Sequence, residues 1–326
     1  MLITGGAGFI GSHLCEALYR LEAQITILDN LSSGSIENLK HVLNAHKSIR
    51  FYKGDCVNPH DIEKSLKNIE VVFHFAANPE VRLERNDPKT CFQQNVYATH
   101  VLLEGIKNKA QVHTIVFAST STVYGDATLI PTPENYAPLK PLSVYGASKL
   151  ASEALIIAYA HTYNKKAIIL RFANIIGSRS QHGVIHDFIQ KLRNNPKQLM
   201  ILGDGNQNKS YLYINDCINA VLTVLETSQN DIEIFNVGSE DRIAVHKIAK
   251  MVTEEMGLHN TVFLFDGGVD GGRGWKGDVK SMLLDISKLK AKGWKPKYNS
   301  ERAVKRTIRE ILSSAKIHIN NQVKKK

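Results

Sequence analysis

Tyr145 and Lys149, four residues apart in the run SVYGASK, are the pair whose types and spacing could do proton chemistry. Residues four apart on a helix project from one face, so an ammonium can stand beside a phenol and stabilise its phenolate. A free phenol titrates at about 10, and each unit of lowering takes about 1.4 kcal/mol, so nearby positive charge must act on it before it serves as a base near neutral pH. The spacing alone is common in a chain with 11 tyrosines and 41 lysines plus arginines, and a second copy exists at Tyr136 and Lys140. That copy lies among Pro131, Pro133, Pro138 and Pro141, which deny it a regular helix. After Pro141, by contrast, Ser143 can cap a helix whose apolar positions Ala147, Leu150, Ala154, Leu155, Ile157 and Ala158 recur at helical spacing.

A base of this kind needs an element that presents a redox partner, and the N-terminal run MLITGGAGFIGSHLCEAL reads as one: an apolar strand, a turn with Gly5, Gly8 and Gly11, then a helix. One glycine permits the sharp turn, one lets a pyrophosphate approach the backbone, and one lets helix pack on strand, while the helix N-terminus offers unpaired N–H groups to phosphate. A second apolar strand, 25–28, ends in Asp29, roughly 20 residues on, where a carboxylate can accept from ribose hydroxyls. Asn30, Leu31, Ser32 and Ser33 supply no cation for a 2′-phosphate, so NAD rather than NADP is expected.

Further short apolar runs at 49–52, 71–75, 114–118 and 167–172 alternate with helical patterns. Such alternation predicts an α/β fold, a Rossmann-type doubly wound parallel sheet whose ligands bind beyond the carboxyl ends of the strands. Asp55, Ala76, Ala77, Ser119, Thr120 and Asn174 stand at those ends. After about residue 175 the alternation weakens and glycine-rich breaks appear at 203–205 and 267–277. The expected organisation is a main NAD-binding domain over 1–175, a smaller substrate-binding lobe over 176–313 with segments returning to the first domain, and a basic, disordered tail over 314–326.

The chain has 326 residues, 43% hydrophobic and 22% charged, enough for a nucleotide-binding domain and a companion. No run approaches the ~20 apolar residues of a membrane span and no leader pattern precedes the first strand, so a cytoplasmic protein is expected. Cys15, Cys56, Cys91 and Cys217 are scattered without metal-ligand spacing, and the histidines form no zinc pattern, so reduced thiols and no metal are expected. The net charge of +10 is spread along the chain, with its densest run at Lys324, Lys325 and Lys326. That distribution disfavours a nucleic-acid partner and suits steering of a diphosphate-bearing substrate.

The motifs GGAGFIGSHL, DNLSSG, HFAA, STSTVYG, YGASK and RFANIIG stand in this order. In them the chain, over residues 1–313, resembles the extended short-chain dehydrogenase/reductase family and, within it, the NAD-dependent nucleotide-sugar epimerases, nearest the UDP-glucose 4-epimerases. The resemblance implies Tyr145 as base, Lys149 as its partner and a contact to the nicotinamide ribose, and Thr120 as the hydroxyl that holds the sugar C4 oxygen. Tyr145 would take the proton from the 4-hydroxyl as hydride leaves C4 for NAD; the 4-keto sugar would turn over and receive hydride on its other face. Gly5, Gly8, Phe9, Ile10, Gly11 and Asp29 would hold the dinucleotide, with Asn30, Ser33, Gly34, Asp55 and Cys56 on the adenosine side. Phe75, Ala76, Ala77, Asn95 and Ser119 would complete that cofactor site, together with Tyr145 and Lys149.

Substrate contacts are implied for Thr120, Tyr145, Asn174, Lys209 and Arg273. The family's Arg-Asp-Tyr-Ile-His segment stands here as Lys209, Ser210, Tyr211, Leu212 and Tyr213, so Lys209 replaces an arginine fork with a point charge. Arg273, the arginine of GGRGWKGDV, is displaced by two positions from its place in the epimerases. Dehydratases of the family carry Asp-Glu after the threonine and UDP-glucuronate decarboxylases a glutamate two residues after it; Ser121 and Thr122 stand there instead. The expected activity is therefore UDP-glucose/UDP-galactose interconversion. The alternatives are epimerisation of a UDP-N-acetylhexosamine, for which Met282 leaves room, or of a UDP-uronic acid near Ser178, Arg179, Ser180 and His182, and beyond these a dehydratase, a reductase or a non-catalytic NAD-binding protein. Relatives pair through helices around 90–107 and 143–161, so a homodimer is expected.

Overall fold

The computed structural model of the chain describes residues 1–44, 48–82 and 87–323, with side chains to residue 313 in the last helix. Its centre is a seven-stranded parallel sheet built from β1 (Leu2–Thr4), β2 (Ile25–Asp29), β3 (Ile49–Lys53), β4 (Val71–His74), β5 (Thr114–Thr120), β6 (Lys166–Phe172) and the later strand Ile232–Val237. Across the sheet the order is Ile232–Val237, β6, β5, β4, β1, β2, β3. The chain therefore starts in the middle, winds outward one way through β2 and β3, and returns to wind the other way from β4. The reversal between β1 and β4 is a topological switch point, which opens a crevice beyond the strand ends.

Strands covered on both faces must be apolar throughout, and β1, β2 and β4 are buried at every residue. The two faces feed two cores. Ile3, Ile27, Phe73, Val116 and Leu170 meet Leu14 and Leu18 of helix α1 (Phe9–Arg20). On the other face Leu2, Leu28, Val72, Ile115, Phe117 and Ile169 meet Leu102 and Leu103 of the helix Ala98–Ile106 and Ile156 of the helix Val144–Tyr163.

Two close-packed glycines set the first turn. Gly5 has φ +70°, and a Cβ on it would lie 2.6 Å from the backbone nitrogen of Ala76; a Cβ on Gly11 would lie 2.2 Å from the carbonyl oxygen of Gly5. Either side chain would push α1 away from the sheet.

The smaller lobe holds short paired strands: Asn174–Ile176 with Tyr211–Tyr213, Gln198–Ile201 with Val262–Phe265, and a three-stranded set of Ile243–Ala244, Asn208–Lys209 and Ser281–Met282. The strand Ile232–Val237 rejoins the main sheet beside β6. The segment read as a disordered tail begins inside the helix Ser300–Val323, while Lys324, Lys325 and Lys326 lie outside the described residues. No described helix is long and apolar enough to cross a membrane.

Candidate active site

One cavity of about 950 Å³ runs along the carboxyl ends of the strands and under the smaller lobe. At its first-domain end, α1 begins at Gly8 with no side chain capping its N-terminus, so backbone N–H groups face the cavity wall unclaimed. Asp29 is buried at the end of β2; its carboxylate accepts from the Ala7 and Leu31 backbone N–H groups, each at 2.8 Å, which orients it towards the same space. Burial raises its pKa, and those two N–H groups oppose the rise. Open helix N-terminus, glycine cradle and a cavity-lining carboxylate together fit an NAD dinucleotide.

Most of the expected cofactor residues line this cavity: Gly5, Gly8, Phe9, Ile10, Gly11, Asp29, Asn30, Ser33, Asp55, Cys56, Phe75, Ala76, Ala77 and Ser119. Asn30 donates to the Asp55 carboxylate at 2.9 Å, tying the loop after β2 to the loop after β3. Burial pushes the Cys56 thiol up to about 12, so it lines the wall without reactivity.

Two expected cofactor residues lie off the cavity. Gly34 packs on the turn itself, where a Cβ would stand 2.8 Å from the Ala7 carbonyl carbon. Asn95 is buried behind the wall: its side chain accepts from the Asn78 backbone N–H at 2.7 Å and donates to Ser148 Oγ at 2.9 Å. It therefore braces the cavity-lining segment at Asn78 against the helix that carries Tyr145.

That helix, Val144–Tyr163, starts as its sequence predicts, with Ser143 Oγ accepting from the Gly146 N–H at 3.0 Å. Tyr136, the tyrosine of the second pair, sits in a non-helical loop with its hydroxyl against Thr128. Thr120, Tyr145 and Lys149 all reach the cavity. Thr120 ends β5, and its hydroxyl accepts from Thr122 N–H at 3.2 Å and stands 3.1 Å from the Thr122 hydroxyl.

Nearby positive charge is expected to make Tyr145 acidic, whereas in the structure burial dominates. Burial pushes the Tyr145 phenol up to about 12, the Cys91 thiol adds to the rise, and a hydrogen bond to Thr120 opposes it. Burial also brings the Lys149 ammonium down to about 7, opposed by the Glu153 carboxylate and by Cys91. Lys149 Nζ rests 4.3 Å from the centre of the Phe117 ring rather than on a carboxylate. Burial alone therefore keeps the phenol protonated, and positive charge from the Lys149 ammonium and from the nicotinamide of NAD is what would turn it into a base.

Behind the couple lies a polar network that sequence reasoning missed. Glu153 accepts from Ser119 Oγ and from Arg171 Nη2 at 2.7 Å; Arg171 Nη1 also donates to Tyr124 Oη and the Glu134 carbonyl, each at 3.0 Å. The Glu153 and Arg171 side chains are 2% and 4% exposed, so this is an ion pair inside the core. The signal available for it was the spacing of Glu153, four residues after Lys149. On β4, buried His74 is held between Thr4 Oγ1 at 2.8 Å and Thr99 Oγ1 at 3.0 Å; burial lowers it to about 3, so it stays neutral.

At the smaller-lobe end, Asn174 and Lys209 line the cavity and Arg273 does not. Lys209 Nζ is 2.5 Å from Asp278 Oδ1. The Arg273 guanidinium is held by both oxygens of Asp126, at 3.0 and 2.7 Å, and by the Asp278 carbonyl at 2.5 Å. Its displacement by two positions turns it into a strap between the lobe and the loop after β5. Met282 is buried and lines the cavity. No group of three metal-ligating side chains occurs among the described residues.

A family model describing NAD dependent epimerases/dehydratases matches residues 1–238. A Methanocaldococcus jannaschii protein provisionally named a UDP-glucose 4-epimerase is 34% identical over 315 residues, covering 94% of this chain and 97% of that protein. The crystal structure of a UDP-galactose 4-epimerase superposes with a TM-score of 0.83 at 41% identity, covering 96% of this chain and 98% of that one. The UDP-glucuronic acid 4-epimerase of Bacillus cereus, in complex with UDP-glucuronic acid and NAD, superposes with a TM-score of 0.85 at 30% identity over the same shares of the two chains.

Proposed function

The chain belongs to the NAD dependent epimerase/dehydratase family, and on that premise we propose that it is a nucleotide-sugar 4-epimerase that interconverts UDP-glucose and UDP-galactose. The observation that carries this reading is the convergence of Thr120, Tyr145 and Lys149 on one cavity that also contains Gly8 and Asp29. NAD, held at Asp29 and the open N-terminus of α1, supplies a hydride acceptor and then donor, so the sugar returns to its own oxidation state.

The chain's residues handle the proton and the position. Tyr145 accepts the 4-hydroxyl proton as the carbonyl forms and returns it as the carbonyl is reduced; steps of this kind are worth about 10²–10⁴-fold. The Lys149 ammonium favours the phenolate, so it readies Tyr145 to take the proton in the first step and stabilises the phenolate that re-forms when the proton is returned in the second. Thr120 holds the C4 oxygen against the phenol in both steps. Ser121 and Thr122 line the cavity with hydroxyls, so the carboxylate pair needed to expel water from a sugar is missing from those positions. This supports epimerisation over dehydration.

A UDP-uronic acid is the second reading, supported by the same hydroxyls, which can donate to a carboxylate, and by the likeness to the Bacillus cereus enzyme. The place of the flexible Met282 side chain on the cavity wall supports trial of a UDP-N-acetylhexosamine. The homodimer and the cytoplasmic location belong to the same proposal; the exposed Phe92 and Tyr97 near the expected pairing helices support the first, and four free buried thiols support the second.

The test is turnover of UDP-glucose in heavy water, followed by proton NMR. Epimerisation through a retained hydride leaves C4–H unlabelled in both sugars. Solvent deuterium at C4 would refute the hydride mechanism, and an unchanged sugar would direct the assay to UDP-glucuronate.

A further inference from the structure

The smaller-lobe end of the cavity lacks an uncommitted cation where two were expected. Lys209 is neutralised by Asp278, whose side chain is 2% exposed, and Arg273 is spent on Asp126 off the cavity wall. A diphosphate nevertheless carries two negative charges into this space. Among the described residues the remaining cavity-lining guanidinium is Arg82, on the segment that follows β4. Its backbone N–H donates to Glu80 Oε1 at 2.9 Å, and no ion pair of its guanidinium is found among the described residues. Instead its Cζ lies 5.0 Å from the centre of the Trp275 ring.

Trp275 is the meeting point of two cations, since Lys209 Nζ stands 5.4 Å from the same ring. Its indole Nε1–H is buried and has no hydrogen-bond partner among the described residues, although Trp275 lines the cavity. A guanidinium on an aromatic face is held more weakly than one paired with a carboxylate, so it exchanges readily for a better anion. A buried donor without a partner is a group that a ligand oxygen would satisfy.

We propose that Arg82 takes the diphosphate of the nucleotide-sugar substrate, leaving the face of Trp275 to fork its oxygens, with the Trp275 N–H and Lys209 completing the site. The assignment rests on the reading of this chain as a nucleotide-sugar epimerase. The Arg82 fork, the unpartnered indole N–H and the Lys209 ammonium together offer more donors than one sugar carboxylate takes, and suit the several oxygens of a diphosphate. Arg82 belongs to the first domain and Trp275 to the smaller lobe, so substrate binding would also tie the two together.

The experiment is calorimetric titration of the NAD-loaded protein and its Arg82→Gln and Arg82→Lys variants with UDP, UDP-glucose and UDP-glucuronate. Arg82→Gln is expected to weaken all three by about tenfold or more, and Arg82→Lys to recover part of the loss, because charge is restored without the fork. Unchanged NAD content and melting temperature establish that each variant is folded. Equal UDP affinity in wild type and Arg82→Gln overturns the role of Arg82 and leaves the epimerase reading standing. A loss confined to UDP-glucuronate also overturns it, by assigning Arg82 to the sugar carboxylate. A wild-type protein that binds NAD but none of the three ligands overturns the inference and the epimerase reading together.

Discussion

Glu153 stands one helical turn beyond Lys149 on the same buried face, and its carboxylate meets Arg171 Nη2 at 2.7 Å while accepting from Ser119 on β5. The helix that carries Tyr145 and Lys149 is thereby locked to the ends of β5 and β6, and a negative charge is fixed near the lysine ammonium.

Replacing Glu153 by Gln should have two separable effects. Arg171 loses its buried counter-charge, which costs about 3–5 kcal/mol when one partner of such a pair is removed. Since the Glu153 carboxylate raises Lys149, its loss lowers the lysine further and the alkaline limb of the turnover profile moves to lower pH. Glu153→Asp keeps the charge and should leave that limb nearer its wild-type place. An unmoved limb in Glu153→Gln would show that the carboxylate acts on the fold alone.

Lys149 predicts a pH-dependent stability. Burial lowers it to about 7 from an ordinary lysine value of 10.5. Between those values the unfolded chain binds more protons than the folded one, so the stability of the NAD-free protein rises with pH across this window; below it the full cost of burying the charge is present. Lys149→Met should therefore abolish turnover yet stabilise the NAD-free protein at pH 7, by about 1–3 kcal/mol, with the gain shrinking towards pH 10. Urea unfolding at the two pH values measures this, and a variant equally destabilised at both would contradict it.

Gly5→Ala should damage fold and cofactor site together. The residue has φ +70° and its Cβ would sit 2.6 Å from the Ala76 nitrogen, in backbone that has little room to give. A loss of about 1–3 kcal/mol is expected from the dihedral alone, with NAD lost on purification. Full NAD content in this variant would show that the turn can relax.

Asp29→Asn tests cofactor choice. The carboxamide can still accept from only one of the Ala7 and Leu31 N–H groups that now hold both carboxylate oxygens. NAD affinity should fall about tenfold or more, and the preference for NAD over NADP should narrow, since the charge that repels a 2′-phosphate is gone. Titration with both dinucleotides checks it, and an unchanged ratio would remove Asp29 from selectivity.

The doubly wound sheet and most of the cofactor wall were legible because their signals are local. Glycines at Gly5, Gly8 and Gly11 act on the turn they occupy, and Asp29 closes the strand that carries it. Ser143, Tyr145 and Lys149 likewise belong to one helix. What was not legible depends on partners far apart in the chain. Nothing in the neighbourhood of Lys209 announces its pairing with Asp278, 69 residues on. Arg273 read as a second ligand because its strap to Asp126 spans 147 residues. Asn95 and Gly34 sit near cofactor residues in sequence, yet one braces the wall from behind and the other packs on the turn. Arg82 carried no motif at all, and only its placement over Trp275 draws attention to it.

The proposed activity is reversible inversion at C4 by Tyr145 with tightly held NAD. It is tested most directly by incubating the purified protein separately with UDP-glucose and with UDP-galactose, without added reductant, and following the anomeric protons by NMR beside Tyr145→Phe. Both wild-type reactions should converge on one mixture, while Tyr145→Phe should keep its NAD and lose turnover by about 10²-fold or more. Wild-type protein that holds NAD and leaves both sugars unchanged, or a Tyr145→Phe variant as active as wild type, would contradict it.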